Sequence, residues 1–108
     1  MSDDFQTIDA DALVTASGGT HINMSSLSPA ERWVIQHESG GNTTAKNPHS
    51  SAFGLGQLIY ANRVHYLGRA NANSTDPALQ LKAFRSYVKD RYGNANRAEA
   101  FWKSHHWY

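Results

Sequence analysis

Glu38 is the side chain best placed to move a proton in this sequence. It opens Glu38-Ser39-Gly40-Gly41 at the end of an amphipathic segment, and only one other glutamate, Glu31, precedes position 60. Helical spacing sets Glu38 four residues after Val34 and three after Ile35, on their apolar stripe. Burial there penalises the charged form, as does the negative end of the helix dipole, so the pKa should rise. A carboxyl that stays protonated near neutral pH is what a general acid needs. Glu31 reads differently. In Ser28-Pro29-Ala30-Glu31, Ser28 is an N-cap, Pro29 the first helical residue and Glu31 the capping-box partner.

The elements that must hold Glu38 are helices. The first runs from Pro29 to Glu38 and stops before a glycine pair suited to a left-handed C-cap. A polar loop, Asn42 to Ser51, carries Asn47-Pro48. Ala52 to Ile59 turns apolar around Gly54 and Gly56, and a short helix from about Gln57 to Tyr66 ends at Gly68, with a small hairpin in 50–58 as the alternative. Asp76-Pro77 starts a third helix with Leu81, Phe84 and Val88 on one face and Lys82, Arg85 and Lys89 mostly elsewhere, closed by Gly93. Asn96 to Lys103 forms the last. No segment alternates with period two long enough for a sheet, so the fold class is all-α.

Composition narrows the function classes. With 108 residues the chain has room for one small domain, and without cysteine it relies on its core alone. No apolar run nears the ~18 residues needed to span a bilayer, so no membrane insertion is expected. The six histidines lack ligand spacing, so no metal and no cofactor is expected. Four of the nine acidic residues, Asp3, Asp4, Asp9 and Asp11, lie in the first nineteen positions, which hold no lysine or arginine. The remainder carries ten basic and five acidic side chains, a balance suited to polyanionic surfaces.

The first nineteen residues read as a separate piece. Phe5, Ile8, Leu13 and Ala16 share one broad helical face, and Gly18-Gly19 closes the segment. A short amphipathic helix can dock in a partner's groove, and paired glycines present an extended strand to a narrow protease cleft. This segment resembles the double-glycine leaders of bacteriocins, departing at Ala16, where such leaders carry a larger aliphatic residue. The resemblance implies removal after Gly19 during export by an ABC transporter with a peptidase domain. The expected organisation is a leader at 1–19, a linker at 20–27 and a domain at 28–108.

The domain itself resembles the lysozyme-like lytic transglycosylase superfamily. The residues that carry the likeness are Glu38-Ser39-Gly40-Gly41, Gly54-Leu55-Gly56-Gln57, Asn47-Pro48, Tyr87-Val88-Lys89-Asp90-Arg91-Tyr92-Gly93 and the pairs Phe101-Trp102 and Trp107-Tyr108. Small domains of secreted Gram-positive and phage tail proteins show the same order. Two departures stand out: Gly56 replaces the methionine common in larger members, and no Ala-Tyr-Asn-x-Gly segment occurs.

The likeness implies a lysozyme-like helical domain with a substrate groove, in which Glu38 cleaves the β-1,4 bond between N-acetylmuramic acid and N-acetylglucosamine. Gln57, Tyr87, Ser39, Asn47 and Tyr92 are the implied substrate contacts, and Trp102, Trp107 and Tyr108 offer ring faces, with Trp102 weighted toward the core. Asp76, Asp90, Glu31 and Glu99 offer no convincing second carboxylate, which favours a 1,6-anhydro product over hydrolysis. The expected protein is a secreted, monomeric, bacteriolytic enzyme acting on peptidoglycan glycan strands, with no nucleic-acid partner. Two rivals stand beside it: a phage or secretion-apparatus enzyme with a docking tail, and a non-catalytic cationic wall-binding module.

Overall fold

The computed structural model describes residues 21–108, so the leader expected at 1–19, with Gly18 and Gly19, lies outside the described residues. Four α-helices follow a single 3-10 turn at Met24–Ser26: α1 (Pro29–Glu38), α2 (Tyr60–Leu67), α3 (Pro77–Tyr92) and α4 (Ala95–His105). Their starts obey the local chemistry of the sequence. Ser28 and Glu31 form the reciprocal capping box, Asp76 accepts from the Ala78 N–H, and Asn94 accepts from the Arg97 N–H. The second helix begins at Tyr60 and not Gln57, because Gln57 adopts a left-handed backbone (φ 53°) inside a tight turn. The last helix is longer than the periodicity suggests at both ends.

Among the described residues there is no strand, only isolated bridges. Phe53 pairs with both Lys46 and Leu58, which makes the 46–58 segment a compact double turn. Helix α1 packs on α4, and α3 packs on both α2 and α4. Val34, Ile35, Leu55, Phe84 and Val88 fill the centre. Residues 21–27, expected to be a tether, belong to this core: Ile22 and Leu27 are buried, and the Ile22 N–H donates to Gly41 O at 2.9 Å. Ile22, Leu27 and the partly buried Met24 are enough to dock it, although they show no period.

Three buried polar side chains tie distant segments together, one between two helices and two between a helix and loops. Arg85 reaches the Glu31 carboxylate through Nε at 2.6 Å and Nη2 at 3.0 Å, so Arg85 is interior and not part of a solvated helix face. Gln80 accepts from the Leu55 N–H at 2.8 Å and donates to Thr43 O and Ser74 O. Arg63 donates to the carbonyls of Ala72, Ser51 and Leu58 and to Asn73 Oδ1. The loop from 42 to 58 is anchored by Leu55 and Leu58 in the core. The Gln80 and Arg63 clamps add to this by satisfying backbone groups that would otherwise be buried without partners.

Candidate active site

The end of α1 delivers Glu38 to the wall of a groove of about 440 Å³. Asn47, Gln57, Tyr87, Arg91, Trp107 and Tyr108 line it as well, together with Ala52, Leu58, Ile59 and Asn62. Burial raises the Glu38 pKa above its ordinary 4.5, while the Trp102 hydrogen bond and the charge of His37 hold it back. The direction matches the expectation from the apolar stripe. The Trp102 contact is new: indole Nε1 donates to Glu38 Oε2 at 2.5 Å across 64 positions of sequence.

An aromatic stack holds that indole. His37 lies face to face on Trp33, with centroids 3.7 Å apart, and Trp102 meets both rings edge-on at 5.2 Å. Trp102 therefore does more than fill core space, because its one polar atom is aimed at the carboxylate.

Gln57 lines the groove with its amide already oriented. Nε2 donates to Ala45 O at 2.9 Å and to Gly54 O at 2.8 Å, which leaves the carbonyl oxygen as its free hydrogen-bonding group. Tyr87 donates to the main-chain oxygen of Tyr108 at 2.9 Å, and Tyr108 in turn donates to Gly56 O. Burial pushes both phenols up, so they remain neutral donors. This chain of contacts explains Gly56. A Cβ there would come within 2.8 Å of the Tyr108 hydroxyl and 3.0 Å of the Phe84 ring, so the methionine of larger members has no room. Gly54 is required twice over: its φ is +82°, and a Cβ would sit 2.6 Å from Gln80 Oε1.

Two of the expected contacts do not line the groove. The Ser39 hydroxyl donates to Ile35 O and accepts the Gly41 N–H, so it finishes the helix. Tyr92 stacks on Tyr108 at 6.2 Å and leans on Phe101, backing the wall without lining it. Asn47 lines the groove while its Oδ1 accepts from the His49 N–H. Arg91, not among the expected substrate contacts, stands in the wall with its guanidinium 5.7 Å from the Trp107 ring. Asn62 carried no signal, since a polar residue in the first turn of a short helix reads as solvated.

The remaining carboxylates are engaged elsewhere. Glu31 pairs with Arg85, Asp76 caps α3, Glu99 pairs with Lys103 at 2.7 Å, and Asp90 accepts from the Tyr66 hydroxyl. Among the described residues, Glu38 is the one carboxylate side chain in the groove wall. No group of three potential metal ligands occurs among them either.

A groove with one acid of raised pKa is the arrangement the sequence likeness implied, and the comparison with family models agrees. The model of the transglycosylase SLT domain matches residues 24–106. The chain belongs to the SLT transglycosylase family. No curated protein and no solved structure matches it significantly. Family membership makes peptidoglycan the substrate and glycan-strand cleavage the reaction class of this SLT domain. No helix among the described residues is long and apolar enough to cross a membrane.

Proposed function

We propose that this SLT domain is a secreted bacteriolytic lytic transglycosylase in which Glu38 alone supplies proton transfer. It cleaves the β-1,4 bond between N-acetylmuramic acid and N-acetylglucosamine. The observation that carries this reading is Glu38 as the lone carboxylate side chain, with raised pKa, in the wall of the groove. Two-carboxylate glycosidases place their acids roughly 5 to 9.5 Å apart. With no second acid in the wall, the sugar cation is stabilised by the substrate's own acetamido group, and Glu38 returns as base to the C6 hydroxyl. The product is a 1,6-anhydro sugar.

Trp102 biases where the proton sits. An indole N–H only donates, and in a carboxylic acid the carbonyl oxygen is the better acceptor. With Oε2 occupied at 2.5 Å, the acidic proton is favoured on Oε1, the oxygen left for the glycosidic bridge. Neutral Tyr87, the Gln57 carbonyl and Asn47 then hydrogen-bond sugar hydroxyl and acetamido groups, and the half-exposed Trp107 ring packs on a pyranose face.

Export rests on the sequence features of residues 1–19. Removal of that leader after Gly19 by a transporter-borne peptidase fits the acidic amphipathic segment and its glycine pair. Mass spectrometry of muropeptides released from purified walls tests the chemistry: anhydro ends are expected, and reducing ends would mean hydrolysis. Intact mass of the exported protein tests the leader, because a chain starting at Thr20 is expected and retention of Met1–Gly19 would favour a docking tail.

A further inference from the structure

A second cavity of about 530 Å³ opens beside the groove and shares Asn47 and Ala52 with it. Its charge is one-sided. Arg63 and Lys46 line it, together with Asn73 and the rings of Phe53 and Tyr60, and no carboxylate does. Arg63 is only 7% exposed, and its acceptors are three backbone carbonyls and one amide oxygen, all neutral. A guanidinium has five N–H donors, so one on Nη2, beside Asn73, has no acceptor among the described residues.

Among the described residues the Arg63 guanidinium has no counter-ion, and a buried cation is costly unless an anion pairs with it. The neutral carbonyls hold the guanidinium in place without cancelling its charge. Lys46 adds an exposed, mobile ammonium at the rim. The aromatic floor contributes an apolar surface: the Arg63 guanidinium carbon lies 5.5 Å from the Phe53 ring centre and 5.6 Å from that of Tyr60, which is 43% exposed. An occupant therefore combines a carboxylate with small apolar groups. The sugars of an intact peptidoglycan strand are uncharged, whereas the peptide stems branching from them carry free carboxylates and alanine methyls.

We propose that this cavity is a subsite for a carboxylate of the peptide stem, with Lys46 as the specificity-determining contact beside the fixed charge of Arg63. The site makes the enzyme select strands by the charge state of their peptides. The proposal rests on the glycan-cleaving role assigned to the adjoining groove. Since Asn47 and Ala52 belong to both cavities, a strand lying against Glu38 carries its stem past the entrance of the second.

The test compares kcat/KM of the full chain on glycan strands whose stems carry free carboxylates with the same strands after amidation of those carboxylates. The wild type should prefer the free acids by about fivefold, the size of one partly screened charge contact. Lys46→Ala should reduce that ratio to near one through loss on the free-acid strands, Lys46→Arg should keep it, and added salt should shrink it in the wild type. Equal rates on both strands, or a ratio untouched by Lys46→Ala, overturn the stem site while leaving the glycosidase reading intact. Equal rates on free and amidated strands together with a rate on whole walls that falls when their phosphate polymers are stripped assign the cavity to a phosphate ligand and overturn the proposal too. Failure of the wild type to cleave either strand is the distinct result that refutes the underlying enzymatic reading.

Discussion

The two ends of α1 treat the same side chain in opposite ways. At the start, Glu31 is 1% exposed, yet its charge is fully engaged: it takes two bonds from Arg85 and one from the Ser28 N–H. At the finish, partly buried Glu38 has a single neutral donor, Trp102, and faces a groove. The deeper carboxylate is thus the better compensated, and the shallower one is the carboxyl whose pKa burial raises. Burial alone does not make an acid catalytic. What matters is whether the partners brought by other helices stabilise the anion more than desolvation penalises it.

The sharpest way to break this contrast is to neutralise each carboxylate separately. Glu38→Gln keeps an acceptor for Trp102 and should cost about 10²- to 10⁴-fold in wall-cleaving rate, measured on purified peptidoglycan, with the circular dichroism unchanged. Glu31→Gln should do the reverse. It removes the carboxylate charge paired with the buried Arg85 guanidinium at roughly 3–5 kcal/mol, read by urea denaturation, while the folded fraction keeps its specific activity. Replacing the pair together, Glu31→Leu with Arg85→Met, should recover most of that loss.

Trp102→Phe sharpens the comparison at the catalytic end. The indole bond favours the carboxylate form, so its removal should lift the Glu38 pKa further and move the alkaline limb of the pH–rate profile upward. Turnover should also fall roughly tenfold, the effect of losing one hydrogen bond to a charged group. A profile that stays in place would dismiss Trp102 as a positioning residue.

The smallest expected effect concerns stability. Folding raises the Glu38 pKa, so its contribution is complete below the ordinary value of 4.5 and is lost as pH rises through the raised value. Glu38→Gln removes that loss, and its Tm at pH 8 should equal or exceed that of the wild type.

Much of the scaffold was legible because it depends on near neighbours. The Ser28–Glu31 box, the Asp76-Pro77 start and the Gly68 and Gly93 stops are short-range rules, and they set helix limits nearly everywhere. They failed at Gln57, whose left-handed turn is held by side-chain bonds to Ala45 and Gly54, and at Ile22 and Leu27, two apolar residues without a repeat. The burial of Arg85, set off the apolar face of its helix, was hidden for a related reason. A long cation beside an apolar stripe looks solvated until a carboxylate 54 positions away is brought against it.

The site divides along the same line. Glu38 and its raised pKa followed from its place on the Val34–Ile35 stripe and at a helix terminus, both properties of one helix. The groove's other groups come from the 42–59 loop, α2, α3 and the last two residues, and their meeting depends on the Arg63 and Gln80 clamps and on Tyr108 filling the space over Gly56. Local periodicity can say which face of a helix an acid occupies, since neighbouring residues set that face. Only packing between distant segments could pair Trp102 with Glu38, withdraw Ser39 and Tyr92 from the groove, and leave Arg63 beside it with no carboxylate partner among the described residues.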